Sequence, residues 1–594
     1  MFQTFDVTAR PEQGPDRLAA VRAELVKDAL DGFLVPRADA HQGEYVAPRD
    51  ERLTWLTGFT GSAGFCAVLH QSAGIFVDGR YRTQVKQQVA AVYTPVPWPE
   101  VTLGAWLVEQ LPEGGRVAYD PWLHSAREIR ELKAHLDGAG ITLTGTDNLV
   151  DRVWQDQPKP PMTAVTPHPE IYAGESATAK AARLAADLRA AGHAAAVLTL
   201  PDSLMWLLNI RGADIPRNPV AHGFAILHDD ARVDLFMAAE KLVGVDLGPD
   251  VRRHDPDTFC DAVAGLNGRI AVDEGSVPQA IAEALGDRMV AAGDPCALPK
   301  ARKTAAEIAG SAAAHLRDGA AVVETLAWLD AQAPDTVTEI DVVTRLEQFR
   351  AADPALRDIS FDTIAGTGAN GAIIHYRVTH DTNSLLRDGH LLVLDSGGQY
   401  LDGTTDITRT IAIGTVGREE SEAFTRVLQG MIAISRLRWP AGRAGRDLEA
   451  IGRVPLWQAG QDFDHGLGHG VGAYLSVHEG PQGLSRLNTV PLEPGMILSN
   501  EPGYYREGAF GIRIENLLVV EDATALDSGD ADRKMLSWRT LTFAPIDRRL
   551  VVPALLSAGE REWLNTYHAD VFRNVASRVS ATAAKWLETA CAPL

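Results

Sequence analysis

Leu391-Leu392-Val393-Leu394-Asp395-Ser396-Gly397-Gly398, followed shortly by Gly403-Thr404-Thr405-Asp406-Ile407-Thr408-Arg409-Thr410, is the stretch whose reading decides the fold. Four apolar residues closed by an aspartate and two glycines read as a buried strand that ends in a turn. A turn at Gly397-Gly398 lets the second segment return antiparallel, bringing Asp395 and Asp406 to one face of a hairpin. Either aspartate alone would be an ordinary turn cap; the pair in this setting points to a shared role.

Three further residues extend the set. His469 lies in His465-Gly466-Leu467-Gly468-His469-Gly470-Val471-Gly472. On a helix, His465 and His469 would share a face as in a zinc HExxH site. Glycine weakens a helix by ~1 kcal/mol per residue, so the four glycines here predict a tight, backbone-close loop in which only one of the two need be a ligand. His478 follows in Val477-His478-Glu479-Gly480-Pro481. Glu501 stands at a turn before Pro502-Gly503. Glu515 alternates with Arg513 on one strand face, with Ile512 and Ile514 opposite, where an Arg/Glu salt bridge is the plain alternative. Four carboxylates and one imidazole suit hard or borderline divalent metals such as Mn²⁺. The set exceeds what one ion needs and suggests two, ~3.5–4 Å apart and sharing a water or hydroxide.

With 594 residues the chain exceeds one core and predicts several domains. Hydrophobic and charged contents of 45% and 23% are those of a globular protein. A net charge of −22 argues against nucleic acid or an anionic membrane as partner. The four cysteines (Cys66, Cys260, Cys296, Cys591) are scattered, which indicates neither a disulfide framework nor a zinc ribbon. Met1-Phe2-Gln3-Thr4-Phe5-Asp6 has no basic or apolar leader, and no stretch approaches the ~18 apolar residues of a membrane span. The expected compartment is the cytoplasm.

Leu18, Val21, Leu25 and Ala29 fall at helical spacing before a strand at Phe33-Leu34-Val35; a Trp55-Leu56 turn and paired strands at 65–70 and 74–79 follow. The same order recurs about 150 residues later: a helix over 181–191, a strand over 194–200, Trp206-Leu207, then strands at 224–228 and 233–237. Two related α/β domains are thus expected, residues 1–155 and 156–298, joined by the proline-rich stretch from Gln155 to Pro169. A third domain, 299–594, opens with an Ala-rich helix over 303–329, on which Glu307 and Asp318 read as a solvated face. It contains the whole ligand set. An extension from about residue 525 should carry a strand at 541–543 and a helix around 560–567.

Asp395, Asp406, His469, Glu501 and Glu515, with His375 in Gly371-Ala372-Ile373-Ile374-His375-Tyr376 and with His478, resemble the "pita-bread" metallopeptidases that include methionine aminopeptidase, prolidase and aminopeptidase P. The finer likeness is to cytosolic three-domain Xaa-Pro aminopeptidases. It rests on Gly58-Phe59-Thr60-Gly61-Ser62-Ala63-Gly64, Asp78-Gly79-Arg80-Tyr81, Asn209-Ile210-Arg211-Gly212, Glu501-Pro502-Gly503-Tyr504-Tyr505 and Trp563-Leu564-Asn565-Thr566-Tyr567-His568. It implies two creatinase/prolidase-type α/β domains before a pita-bread catalytic domain, and release of the first residue from peptides with proline second. It further implies that Asp395 chelates one metal, that His469 and Glu501 bind the other, and that Asp406 and Glu515 bridge both. Glu501 is then the general base and acid, His375 and His478 donate hydrogen bonds to substrate, and Arg513 orients the carboxylates. His375 and Tyr505 line the proline pocket, and Arg80 is a further substrate contact. Manganese and a homodimer are the family expectation, and zinc or cobalt suit the same ligands. Arg377-Val378 stands where the family often has proline. Prolidase shares the metal set; creatinase shares the fold without it; a metal-free binding relative is the reading from another class.

Overall fold

The computed structural model describes residues 1–530 and 532–594. The chain divides into two compact units, one of residues 8–170 and 175–300, the other of 1–7, 171–174 and 301–594.

The first unit holds two mixed six-stranded sheets of one design. Strands β1 (Gly32–Pro36), β2 (Phe65–Leu69), β3 (Ala73–Val77), β4 (Thr94–Pro97), β5 (Gly115–Tyr119) and β6 (Ile141–Gly145) lie in the order β4-β3-β2-β1-β5-β6. Strands β7 (Ala195–Leu198), β8 (Phe224–His228), β9 (Val233–Phe236), β10 (Val251–His254), β11 (Ile270–Val272) and β12 (Met289–Ala291) lie in the order β10-β9-β8-β7-β11-β12. In each, the first strand pairs antiparallel with the second and parallel with the fifth. The recurrence read in the sequence is therefore a duplicated fold. The two Trp-Leu segments end short helices, Arg52–Thr57 and Pro201–Leu208, rather than forming turns. Each helix stops at a left-handed residue, Gly58 (φ 88°) and Asn209 (φ 49°), two residue types that tolerate this conformation. All four cysteines are free.

The second unit opens with the helix Ala305–Asp330, capped by reciprocal hydrogen bonds of Thr304 and Glu307. Its expected solvated face is a correction: Glu307 is 4% and Asp318 2% exposed. Glu307 is occupied by the cap, and Asp318 by an arginine from a distant helix. Antiparallel strands β13 (Ile364–Thr367), β14 (Leu391–Ser396) and β15 (Ile407–Ala412) form a sheet with β14 central. Strands β16 (Arg438–Pro440), β17 (Gly468–Gly470), β18 (Glu479–Leu484) and β19 (Ile497–Asn500) belong to a larger sheet. A separate hairpin, β20 (Gly503–Arg506) and β21 (Phe510–Arg513), precedes β22 (Asn516–Asp522) and β23 (Met535–Thr540). The larger sheet runs β16-β23-β22-β19-β17-β18. Leu326, Val342, Leu346, Ile364, Leu392, Leu394 and Ile411 join helices and the smaller sheet in one apolar core. The strand expected at 541–543 lies earlier, at Met535–Thr540; the expected helix is Ala558–Val575.

Candidate metal centre

The β14–β15 hairpin forms as expected, but its turn is elsewhere. Asp395 faces Thr408 and Ser396 faces Ile407 in the ladder. Pairing continues through Gln399 and Thr404 to a turn at Leu401-Asp402. Gly397 is instead a point of close approach, since a Cβ there would sit 1.9 Å from the Thr405 carbonyl oxygen. Asp395 near the end of β14 and Asp406 just before β15 thus meet at one end of the sheet. The larger sheet brings its residues to the same place. Asn500 pairs with Asn516, so Glu501 after β19 and Glu515 before β22 are neighbours. The Glu515 N–H donates to the Thr408 carbonyl at 3.1 Å, stitching the two sheets together.

His469 sits in β17, a short strand rather than a loop, between β18 and β19. The glycines beside it are required by crowding: a Cβ on Gly468 would lie 2.0 Å from the Ser499 carbonyl oxygen. The His469 Nδ1–H faces the Gly470 carbonyl at 2.9 Å, which leaves the Nε2 lone pair for the centre. That Nε2 lies 3.5 Å from Asp406 and 3.4 Å from Glu501. Ser499 Oγ accepts from the His469 N–H at 2.9 Å and donates to Glu501 at 3.2 Å.

Arg513 and Glu515 do not share one strand face, because β21 ends at Arg513 and β22 begins only at Asn516. The direct partner of Arg513 is Asp395, at 2.6 Å. Its Nε donates at 3.3 Å to Thr408 Oγ1, which in turn donates to Glu515 Oε2 at 2.8 Å. Thr408 and Ser499 were not singled out in the sequence. The alternating register opposite Asp395 was the one available signal for Thr408.

The donor set fits divalent cations. Asp395 Oδ1, Asp406 Oδ1 and Glu515 Oε1 are buried without a hydrogen-bond partner, where each unmet group costs ~1–3 kcal/mol or more. Single donor atoms of Asp406, His469 and Glu515 lie within 4.8 Å of one another. Burial first, then repulsion from neighbouring carboxylates, raises the Glu515 carboxyl well above its usual range and shifts Asp395 and Glu501 the same way. For His469 burial acts downward, but Asp406 and Glu501 outweigh it and lift the imidazole to about 9. The cluster thus carries more negative charge than its own cations balance.

Of the remaining expected residues, His478 packs edge-on against His469 with ring centroids 4.3 Å apart. His375 follows Ile374, whose carbonyl accepts from Arg513 at 3.3 Å, so its segment reaches the centre. The Tyr505 hydroxyl accepts from Arg513 at 2.7 Å and lies 2.9 Å from His465 Nε2. Burial pushes that phenol up to about 12. Arg80 belongs to the N-terminal unit, where Asp78 holds its guanidinium at 2.7 Å. Arg377, at the departure from the family pattern, pairs with Asp362 at 2.9 Å and also donates to the carbonyls of Thr4 and Asp6.

Comparison with known proteins agrees with this architecture. The sequence profile of metallopeptidase family M24 matches residues 305–522, and that of its C-terminal region 534–594. Creatinase/prolidase N-terminal domain profiles match 17–153 and 156–307. The probable Xaa-Pro aminopeptidase P of Aspergillus fumigatus is 38% identical over 587 residues, covering 94% of this chain and 89% of its own. That of Talaromyces marneffei is 37% identical, covering 98% and 92%. The crystal structure of X-prolyl aminopeptidase from Caenorhabditis elegans, described as a cytosolic enzyme with a dinuclear active site, matches with a TM-score of 0.93 at 31% identity, covering 98% of this chain and 100% of that one. Over nearly its whole length, this chain belongs to the Xaa-Pro aminopeptidase P group of metallopeptidase family M24.

Proposed function

We propose that the chain is a two-metal exopeptidase that releases the N-terminal residue from peptides with proline in second position. The observation that carries this is three buried carboxylate oxygens without partners, two of them on residues clustered with an imidazole whose Nδ1–H faces a carbonyl. Asp395 would chelate one ion, His469 and Glu501 the other, and Asp406 and Glu515 both. Divalent ions bound there supply the electrostatic activation of water and the polarisation of the scissile carbonyl. Manganese is the proposed metal.

Glu501 takes the proton from the attacking water and delivers it to the leaving secondary-amine nitrogen of proline. His375 and His478 donate hydrogen bonds where negative charge develops on the substrate. Arg513 fixes Asp395 directly and Glu515 through Thr408. An Xaa-Pro bond is a tertiary amide without an N–H and with φ fixed at proline, so recognition rests on a pocket shaped for the ring. His375 and Tyr505 are assigned to it, and Arg80 is proposed as a further substrate contact.

A homodimer in the cytoplasm is the proposed working state. Among the described residues, no helix is long and apolar enough to cross a membrane.

The test uses metal-stripped protein reconstituted with Mn²⁺ and assayed on Arg-Pro-Pro, Arg-Pro and Arg-Ala-Ala. Metal-dependent release of Arg from the first, with little from the third, is expected. Cleavage of Arg-Pro alone would indicate a prolidase, and silence on all three across several metals a binding protein. Glu501→Gln should abolish turnover while leaving the fold; substantial remaining activity removes Glu501 from its role.

A further inference from the structure

The N-terminal unit contains a second cluster of metal-type donors. Asp39 follows β1, Asp50 ends the turn Pro48–Asp50, and His222 precedes β8. Single donor atoms from the three lie within 4.8 Å of one another; bonds of ~2.0–2.2 Å to one ion would draw them slightly inward. Asp39 is 2% exposed. Its Oδ1 accepts from the His41 backbone N–H at 2.8 Å, while its Oδ2 is buried without a hydrogen-bond partner. His222 Nε2 is likewise unpartnered. The two atoms are 3.2 Å apart but lack the alignment of a hydrogen bond, as two donors facing a common ligand would.

The surroundings hold this geometry and leave it short of positive charge. The His222 ring packs on His41, centroids 4.5 Å apart, and His41 stacks on Phe224 at 4.4 Å. The His222 backbone N–H donates to Asp214 at 2.7 Å, and the charge of Asp214 is met by Lys241. Arg52 forks onto Asp151 through Nε and one terminal nitrogen, at 2.7 and 2.9 Å, and reaches Asp50 at 2.8 Å with the other. Among the described residues, no lysine or arginine pairs with Asp39. Asp39, Asp50 and Asp151 set against Arg52 leave the cluster short of positive charge even with His222 beside Asp39 counted. Burying such a deficit without a counterion is strongly unfavourable.

We propose that Asp39, Asp50 and His222 bind a structural divalent cation of the borderline class, zinc or manganese, which ties the first α/β half of this unit to the second. Two oxygens and one imidazole nitrogen suit that class, and three protein ligands leave a position for water. Asp39 and Asp50 come from the first half and His222 from the second, so the ion acts as a cross-link between the duplicated folds.

The test separates this site from the catalytic centre. Full-length protein carrying Asp406→Asn and Glu515→Gln is reconstituted with Zn²⁺ or Mn²⁺, dialysed, and its metal quantified. It should retain one equivalent, and adding His222→Ala should remove it. In the otherwise unaltered chain, Asp39→Asn with His222→Ala should lose one equivalent and melt at a lower temperature, with turnover of Arg-Pro-Pro within about two-fold of the parent. Should that variant fail to fold, the Asp406→Asn/Glu515→Gln protein alone decides. No metal on it, or metal that survives His222→Ala, overturns the assignment.

Discussion

Asp318 and Glu515 are both buried carboxylates of the C-terminal unit, and their surroundings differ in kind. Asp318 Oδ1 accepts from Arg350 Nε at 2.7 Å and from the Tyr400 hydroxyl at 2.9 Å; its Oδ2 accepts from Arg350 at 3.0 Å. Glu515 has a donor on one oxygen, Thr408, and none on the other, while Asp406, Glu501 and Asp395 crowd it with like charge. Burial of charge is common to both, so burial alone marks neither. A shortage of partners is what marks a cation site, and the same shortage recurs at Asp39 in the other unit.

The largest test of this contrast is Glu515→Gln. It should remove metal and lower kcat/KM by about 10³-fold or more, because a bridging carboxylate is lost. The metal-free variant should nevertheless melt no lower than the metal-free parent, since repulsion is relieved. A marked fall in the stability of the metal-free variant would mean that Glu515 is held by protein partners after all.

Arg350→Met reverses the pattern. It strands Asp318 with Tyr400 alone, and the expected cost is ~3–5 kcal/mol of unfolding free energy in urea. Metal content should be retained. Loss of metal with little loss of stability would show that the ion pair serves the centre through Ser396, which Arg350 also reaches at 3.0 Å.

His568 shows a third way to bury a titratable group, as a neutral acceptor. Its Nε2 accepts from the Ile546 N–H at 3.1 Å, and burial, helped by Arg409 and Arg548, depresses the imidazole to about 4. The unfolded chain binds this proton near pH 6.5, the folded chain only near 4. Stability from this residue is therefore fully present above pH 6.5 and falls as pH drops toward 4, by at most about 3 kcal/mol. His568→Gln should flatten that acid limb in pH-dependent melting; an unchanged limb would assign it to other groups.

Much of this contrast was legible in the sequence, and its limits have a physical cause. The apolar run before Asp395 and the glycines around His469 are local signals of a strand and of crowding, and both were read. The duplicated α/β halves were visible because each repeats a local order of elements. The Gly397-Gly398 turn was misplaced because glycine serves close approach as well as tight turning. Asp318 was read as solvated because its partners, Arg350 and Tyr400, arrive from remote segments. The same holds for Arg513, whose spacing suggested Glu515 while the fold supplies Asp395. Local pattern reports which elements form; the partners of a buried charge depend on what those elements pack against.

Thr408→Val addresses the smallest and most specific part of the contrast. Thr408 Oγ1 donates to Glu515 and accepts from Arg513 Nε, so one hydroxyl relays the position of a guanidinium to a carboxylate. Valine keeps the branched shape on the β15 strand and removes only the oxygen. Glu515 then loses that donor and Arg513 Nε its acceptor, with the backbone bond from the Glu515 N–H to the residue 408 carbonyl intact. Metal affinity should fall about 10–100-fold, the usual effect of removing a hydrogen-bond partner behind a metal ligand, with kcat at saturating metal much less affected. A chelator-buffered titration separates the two quantities. If affinity is unchanged, the strand backbone alone sets Glu515, and the relay from Arg513 has no functional weight.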